Sequence, residues 1–285
     1  MSSTDGPDGP ATGDRPFVAV LGRVVERRAT GSPLRSIPIG DRPHSVAVSH
    51  DGAQLFVTDF GAGVVAVVDP AAGTVVSTIP VGDGPYGVAV DPDGHTIHVT
   101  APGRDTVSRV TVVAGPLEPP AGSAIGTGIG HSPYGIAANA DGKLYIALAL
   151  EDTVLVTDTF AKPVFAPIEG IDFPVGVALS SDGGRLYASN FNSSTVTVVD
   201  LGTQQPVGTI AVPAEPYGLA VAPDDSRLYV AHFPAGNVSV VDTSSGTVTE
   251  TITVDGGPRG VAVSRDGTEL YVTRFLAGTV DVIRL

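Results

Sequence analysis

A stretch of about 18 residues recurs six times along the chain, and this repeat limits the possible folds more than any other feature of the sequence. Each copy begins with a proline and a short apolar run, turns at an acidic residue, and continues as a second alternating run. The copies lie at 43–60, 85–102, 133–149, 174–191, 216–233 and 258–275. A fixed period of this kind indicates a repeat architecture in which each unit packs on its neighbours.

Every copy is followed by two further runs with strand character. The first is rich in valine, as in VVAVVD at 64–69, and the second follows a glycine turn and ends in isoleucine, as in GTVVSTI at 73–79. Alternation and β-branched residues indicate strands, Asp-Gly pairs indicate hairpins, and no stretch keeps a 3.6-residue apolar period. Four short strands in about 42 residues predict the blade of an all-β propeller.

Counting the units predicts six four-stranded blades and a closed ring. We place the first five blades at 38–79, 80–125, 126–168, 169–210 and 211–252, whereas the last, 253–285, is about nine residues short and lacks its outer strand. The segment 29–37 matches the outer strand at 244–252, so we expect it to complete the C-terminal blade and cover both chain ends. We interpret 1–16 as a disordered tail and 17–285 as one domain, in which 17–25 is an added edge strand or a covering segment.

The repeat P-x-G-V-A-V-x-x-D-G-x-x-L-Y-V-x-x, followed by V-x-V-V-D and G-x-V-x-x-I, resembles the YVTN family of β-propeller repeats over roughly residues 29 to 285. The resemblance implies the propeller fold. It implies little about function, since similar repeats occur in surface-layer proteins, lactonase-like hydrolases, streptogramin lyase-like enzymes and haem d1-associated proteins. No catalytic signature of one subgroup can be assigned to this sequence residue by residue.

Charge and cysteine content limit the kinds of molecule that this protein is expected to bind and the chemistry that it can use. The chain has 16 Lys and Arg against 30 Asp and Glu, a net charge of -14, which disfavours nucleic acid. It has no cysteine, which excludes disulfides and thiolate nucleophiles, and no apolar run of membrane-helix length. The first residues lack the features of a secretory signal. We therefore expect a cytoplasmic monomer without nucleic-acid or membrane partners, or a secreted protein if the natural N-terminus is missing from the sequence.

Two positions of the repeat vary in residue type while their neighbours stay alike. Both are expected at the top mouth of the central channel, where the first strand of a blade begins and the second ends. The first slot holds His44, Tyr86, Tyr134, Val175, Tyr217 and Arg259, and the second slot holds Asp59, Ala101, Leu148, Asn190, His232 and Arg274. Dissimilar polar residues at such positions predict a functional cluster, and a solvated channel lining is the alternative.

The charged members of these slots indicate a small anionic or polar ligand. Arginines bind carboxylates bidentately, and histidine transfers protons near neutral pH. We predict a lyase, hydrolase or isomerase that acts by acid/base chemistry on a carboxylate-bearing substrate without an organic cofactor. In this hypothesis His44 or His232 is the base, Asp59 orients it, and the substrate is bound by Arg259, Arg274, Tyr86, Tyr134, Tyr217 and Asn190, with Arg42 nearby.

Two other functions remain open. His131 lies just before the third blade, and together with His44 and His232 it gives three histidines on alternate blades that could bind a divalent metal ion. A non-catalytic scaffold that presents its rim to another protein is the main alternative. Its apolar rim would consist of the residues that directly follow the second slot, which include Phe60, Phe191, Phe233 and Phe275.

One further repeat position is expected to be purely structural. It holds an aromatic residue in five copies and a histidine in the second, so we expect these side chains to pack between blades, with His98 as a hydrogen-bonded core residue. The six residues are Phe56, His98, Tyr145, Tyr187, Tyr229 and Tyr271.

Overall fold

The computed structural model describes the backbone of residues 19–20, 23–24, 33–112, 123–125 and 130–285, and the side chains within 33–112 and 130–285. The expected disordered tail at 1–16 lies outside the described residues. Residues Met1–Thr30 and Gly31–Leu285 form separate units. In the first unit Ala19–Val20 (β1) pairs antiparallel with Arg23–Val24 (β2) in a two-stranded sheet. The segment 17–25, expected as one strand or a covering segment, therefore contains a short antiparallel pair.

The second unit confirms the predicted six-bladed all-β propeller. In blades 1 to 5 the strands follow one another in chain order from the innermost outward, and in blade 6 the outermost strand is Arg35–Pro38. The strands are, in blade 1, Pro43–Val48 (β4), Leu55–Asp59 (β5), Val64–Asp69 (β6) and Thr74–Pro80 (β7); in blade 2, Val88–Val90 (β8), Thr96–Ala101 (β9), Thr106–Thr111 (β10) and Ser123–Ile125 (β11); in blade 3, Pro133–Ala138 (β12), Lys143–Leu148 (β13) and Thr153–Asp158 (β14); in blade 4, Pro174–Leu179 (β15), Arg185–Asn190 (β16), Thr195–Asp200 (β17) and Gln205–Ala211 (β18); in blade 5, Pro216–Val221 (β19), Arg227–His232 (β20), Asn237–Asp242 (β21) and Thr247–Thr253 (β22); and in blade 6, Pro258–Val263 (β23), Glu269–Arg274 (β24), Thr279–Arg284 (β25) and Arg35–Pro38 (β3).

Two short 3₁₀ helices follow the second strands of blades 2 and 3, at Pro102–Arg104 and Ala149–Glu151. Within the described part of the chain, no helix has the length and apolar character needed to cross a membrane.

Blade 6 closes the ring with strands from both ends of the chain. β3 pairs antiparallel with β25, so that Ser36 lies opposite Asp281 and Ile37 opposite Val280. Ile37 is only 1% exposed and packs in one apolar cluster with Val280 and Val282. The predicted completion of the C-terminal blade by an N-terminal strand is confirmed.

Blade 3 departs from the predicted four strands. Its outer segment contacts β14 only through two isolated bridges, Val154 with Ile168 and Thr157 with Pro163. This segment contains Pro163 and Pro167. Because proline has no N–H to donate, it interrupts the hydrogen-bond ladder and prevents a regular fourth strand.

The shared aromatic position packs between blades as expected. All six residues lie on the second strand of their blade and are at most 3% exposed: Phe56, His98, Tyr145, Tyr187, Tyr229 and Tyr271. His98 Nε2 lies 2.8 Å from Oδ2 of the buried Asp91. The prediction of a hydrogen-bonded core histidine is confirmed.

The innermost strands approach one another closely around the axis. A Cβ placed on Gly218 would lie 2.5 Å from the Arg259 carbonyl oxygen, and one on Gly260 would lie 2.6 Å from that of His44. No side chain fits at such distances, so glycine in the repeat allows neighbouring blades to meet. The preceding residue in each inner strand then lies at the channel mouth.

Candidate functional site

Two adjoining cavities occupy the top of the channel, on the face where the inner strands begin. The wider cavity, of about 450 Å³, opens at the mouth, and the narrower one, of about 80 Å³, continues along the axis. Tyr86, Val175, Tyr217 and Arg259 line both, so these four residues surround the narrowing between them. His44 lines the narrower cavity and Tyr134 the wider one. All six first-slot residues therefore gather at the channel, as expected.

Hydroxyl groups of the second strands hold the backbone of the first-slot residues in place. Thr273 Oγ1 accepts a hydrogen bond from Gly260 N–H at 2.7 Å and donates one to the His44 carbonyl in the next blade at 2.8 Å. Three other seams between blades have the same link: Thr58 to Tyr86, Thr100 to Tyr134, and Ser189 to Tyr217. Ala147 and Ala231 occupy this position in blades 3 and 5 and carry no hydroxyl. The links fix the carbonyls of His44 and the three tyrosines.

Eight aromatic rings form a closed circuit around the mouth. Successive ring centroids are 3.5 to 6.2 Å apart, and several pairs meet edge to face, with interplanar angles of 76° to 83°. Such geometry is favourable for aromatic pairs. The members in order are His44, Tyr86, Tyr134, Phe173, Phe191, Tyr217, Phe233 and Phe275.

Arg259 lies against one side of this circuit. Its guanidinium carbon is 3.8 Å from the ring centroid of Phe275, 4.5 Å from that of Phe233 and 4.9 Å from that of Tyr217. Its Nη1 donates a hydrogen bond to Nε2 of His44 at 2.6 Å. Since Nε2 accepts this bond, the neutral imidazole carries its proton on Nδ1. Burial, and then the charge of Arg259, lower the pKa of His44 well below 6.5.

The positive charge of Arg259 has no anionic partner in the described parts of the chain. None of the ion pairs within 33–112 and 130–285 includes Arg259. Its Nε is buried and unpartnered among these residues, and so is the hydroxyl of Tyr86. Burial raises the pKa of Tyr86 well above 10, against the opposing effect of Arg259. Two hydrogen-bond donors at the channel are thus left without an acceptor.

The second slot does not form a ring at the channel. None of its six residues lines either cavity. Three of them bond instead to the residue seven positions later, on the third strand of the same blade. The pairs are Asn190 Nδ2 with Thr197 Oγ1 at 2.8 Å, His232 Nε2 with Ser239 Oγ at 3.0 Å, and Arg274 Nη1 with Asp281 Oδ1 at 3.3 Å.

His232 is therefore a buried histidine with both ring nitrogens in hydrogen bonds. Its Nδ1 lies 3.3 Å from the Ala214 carbonyl oxygen, and its side chain is fully buried. Burial lowers its pKa. The expected cluster of His232 and Arg274 with Arg259 and His44 does not form, because only Arg259 and His44 face the channel.

Asp59 holds a loop in place and does not orient a histidine as predicted. Its two carboxylate oxygens accept hydrogen bonds from the backbone N–H groups of Asp41, Arg42, Gly61 and Ala62 at 3.0 to 3.1 Å. These bonds fill its acceptor positions and hold the approach to blade 1. Arg42 lies outside the cavities, where its guanidinium contacts Asp41 and the ring of Phe60.

The three histidines proposed as metal ligands are not brought together. His131 is exposed, and its Nδ1 lies 3.2 Å from Oδ2 of Asp105. His44 bonds Arg259, and His232 lies inside blade 5. In the parts of the chain that the structure describes, no three His, Cys, Asp or Glu side chains form a group that could hold a metal ion.

Phe173 is a mouth residue that the repeat comparison missed. Its φ is +48°, in the left-handed region that favours glycine, and φ is also positive at the same position before the proline in four other repeats: Gly84, Ser132, Glu215 and Gly257. A phenylalanine that keeps this conformation carries a backbone cost of about 1 kcal/mol. The signal in the sequence was an aromatic residue at a position that the other five copies fill with arginine, glycine, serine or glutamate.

Comparison with known proteins supports the fold alone. Neither a family model nor a curated protein matches the sequence. A solved structure titled Kuenenia stuttgartiensis hydrazine synthase is similar, with a TM-score of 0.66, 19% sequence identity, and coverage of 94% of this chain and 99% of that chain. At this identity, the similarity concerns the path of the backbone and not the side chains of the channel.

Proposed function

We propose that this protein binds a small carboxylate-bearing or other anionic molecule at the top mouth of its channel, with Arg259 as the anchor. The observation that carries the proposal is a partly buried guanidinium that has no anionic partner among the described residues and whose Nε is buried without an acceptor. A cation removed from water is stabilised by a counter-ion, and aromatic faces replace only part of that interaction. A ligand carboxylate would provide the missing charge.

Neighbouring donors support the same ligand chemistry. The unpartnered Tyr86 hydroxyl and Arg259 Nε belong to residues that line the narrowing between the two cavities. Tyr217 lines the same narrowing, and Tyr134 lines the wider cavity beside it. Carboxylate oxygens accept several hydrogen bonds at once, and charged partners make these bonds stronger.

Calorimetric titration of the full chain with a panel of small mono- and dicarboxylates tests the proposal. At least one acid is expected to bind the wild type, and Arg259→Gln should weaken that binding by about 100-fold or more, because a buried charge pair contributes several kcal/mol. Arg227→Gln, which removes an exposed arginine at the start of β20, is the charge-matched control and should bind like the wild type. Equal binding by Arg259→Gln would refute the proposal.

A catalytic role is an extension of this site, and the Arg259–His44 hydrogen bond favours it. A carboxylate that pairs with Arg259 would draw Nη1 away from His44 and free Nε2 to act as a base on the bound molecule. The predicted acid/base enzyme then depends on His44, with Tyr86 as a hydrogen-bond donor to the substrate. Asp59, His232, Arg274 and Asn190 would hold the blades in shape. His44→Gln should abolish turnover of a bound acid while Arg259 still binds it.

The scaffold alternative is supported by apolar residues on the top face. Leu150 and Leu276 lie in the loops after the second strands of blades 3 and 6 and are 65% and 71% exposed. If a protein partner docks on this rim, Leu150→Ser with Leu276→Ser should weaken that complex and leave acid binding unchanged. Arg259→Gln should have the reverse effect.

The repeat residues also support the narrower assignment to YVTN-type propellers. We expect binding without an organic cofactor or a divalent metal ion, since the lining offers a guanidinium and phenols rather than a set of carboxylates. Titration with the carboxylate before and after EDTA treatment of the protein should give the same affinity, and a loss after EDTA would show a metal requirement.

We also expect a cytoplasmic monomer.

A further inference from the structure

We infer that the anionic molecule is a planar aromatic carboxylate, bound with its acid group at the narrowing and its ring in the wider cavity. This inference rests on the proposed function, because it assigns the rest of the molecule whose charge pairs with Arg259.

The two cavities differ in chemistry along the axis. Arg259 and Tyr86 line both cavities, so the residues that carry the unpartnered donors are at the inner end of the wider one. Six of the ten residues that line the wider cavity are aromatic: Phe60, Tyr86, Tyr134, Phe173, Phe191 and Tyr217. A molecule that fills this space must therefore have an anionic end directed inward and an apolar body directed outward.

The rings favour an aromatic body over an aliphatic one. Tyr86 and Tyr134 meet at 76° and Phe191 and Tyr217 at 83°, so the lining presents ring edges and ring faces in turn. Aromatic edges are positive and faces are negative, and a planar aromatic ligand can complement both, whereas a saturated ring has no quadrupole. Val175 is the one branched aliphatic residue in the lining of the wider cavity.

Charge excludes the other common ligand of aromatic pockets. Rings that surround a cavity often bind quaternary ammonium groups through cation–π contacts. Here the guanidinium of Arg259 already contacts Phe275, Phe233 and Tyr217. A second cation in the same cavity would be repelled, so the remaining rings are available to a neutral or anionic ligand.

Phe173 provides independent support. Its ring lies in the circuit between Tyr134 and Phe191, with centroids 6.2 and 5.9 Å away, and it also lines the wider cavity. Ser132 and Glu215 share this left-handed conformation before the prolines of blades 3 and 5, so the backbone shape belongs to the repeat and the ring is what distinguishes Phe173. Phe173 therefore places an aromatic ring at the mouth where the corresponding positions of the other blades hold no ring: Arg42, Gly84, Ser132, Glu215 and Gly257.

Three matched probes test the inference by calorimetric titration of the full chain: 1-naphthoate, decahydro-1-naphthoate and 1-naphthamide. We expect 1-naphthoate to bind at least about tenfold more tightly than the saturated acid, the size of effect that an aromatic pair contributes beyond buried area. Equal binding of the two acids would overturn the aromatic inference and leave the proposed anion site standing. Equal binding of 1-naphthamide and 1-naphthoate would overturn the proposed anion site itself.

Variants localise the effect. Phe191→Leu keeps an apolar side chain at the mouth but removes a ring, and it should reduce the preference for 1-naphthoate over its saturated analogue. Phe165→Leu is the matched control, because Phe165 is 43% exposed and contacts Lys143 on blade 3, away from the cavity lining. If none of the three probes binds the wild type, the aromatic inference fails, and binding of hexanoate or succinate then decides whether the anion site remains. An unchanged preference in Phe191→Leu would also contradict it.

Discussion

Nη1 of Arg259 lies 2.6 Å from Nε2 of His44, although the two residues are 215 positions apart in the sequence. They belong to the first strands of blades 6 and 1, which meet only because the ring closes. Their hydrogen bond fixes the tautomer of His44 and directs Nη1 of the guanidinium toward blade 1. The rest of the guanidinium stays against aromatic faces, without an anion among the described residues.

Arg259→Met is expected to leave the ligand-free protein at least as stable as the wild type. The substitution keeps an unbranched side chain of similar length and removes a partly buried charge without an anionic partner, whose loss of hydration the aromatic faces repay only in part. Urea denaturation of both proteins measures the difference. A loss of more than about 2 kcal/mol would mean that the cation–π contacts outweigh the desolvation of the charge.

Stability should fall as the pH is lowered from 8 to 5. The folded-state pKa values of His44, His98 and His232 lie below 6.5, with burial as the largest cause in each case. The unfolded chain therefore takes up protons first, so the stabilisation is complete above about pH 7 and declines as the pH falls through 6.5, by up to about 1.4 kcal/mol per histidine per unit. Urea denaturation along this pH series measures the slope.

Matched histidine variants identify the source of that slope. His44→Gln should reduce the dependence of the free energy of unfolding on pH. His95→Gln, at an exposed position, should reduce it less than His44→Gln does. A slope that is flat between pH 8 and 5 in the wild type would show that the buried histidines titrate as they do in the unfolded chain.

His232 should stabilise blade 5 without contributing to binding. His232→Ala removes the partner of the buried Ser239 hydroxyl, which we expect to cost about 2 kcal/mol or more. The double change His232→Asn with Ser239→Thr copies the Asn190–Thr197 pair of blade 4 and should recover about 1 kcal/mol relative to His232→Asn alone. A double-mutant cycle measures this coupling, and a coupling energy near zero would contradict the pairing.

The hydroxyl links between blades should be additive stabilising units. Thr273→Val deprives the His44 carbonyl and the Gly260 N–H of their shared partner, at an expected cost of about 1–3 kcal/mol, whereas Thr273→Ser keeps the hydroxyl and should cost less. Ala147→Ser and Ala231→Ser should each add a link at a seam that lacks one and stabilise by about 1 kcal/mol. Thermal denaturation tests all four variants. A Thr273→Val variant with the same denaturation temperature as the wild type would show that the links do not contribute to stability.

The fold could be predicted almost completely because the repeat specifies it locally. Period, strand alternation and turn residues gave the number of blades, and the short last unit gave the closure by β3. Blade 3 was the exception, because Pro163 and Pro167 interrupt the pairing of its outer segment with the third strand. The other repeats have a regular outer strand and therefore gave no indication of this difference. The first slot was also predictable, because the small residue that follows it, glycine in five blades and Ser45 in blade 1, indicates an inner strand crowded against the axis.

The second slot could not be assigned by chain position alone. It lies at the same end of the blade as the first slot, but its side chains do not line the channel. Successive side chains of a strand point in opposite directions, so a shift of one residue in register decides which of them face the channel. Matched polarity seven residues later would have revealed this, since Asn190, His232 and Arg274 face polar partners while Leu148 is followed at that distance by Leu155. The isolation of Arg259 depends on inter-blade distances and has no counterpart in the sequence.

The pairing of β3 with β25 also sets the order of events during synthesis. Arg35–Pro38 leaves the ribosome early, whereas its partner Thr279–Arg284 is made about 240 residues later. At usual translation rates the first strand waits roughly 10–50 s for the second. Blades 1 to 5 can pack while the chain is still growing, but Arg259 and His44 can meet only after the first strand of blade 6 has been made. A nascent chain stalled before residue 258 would therefore be a folded arc that lacks Arg259.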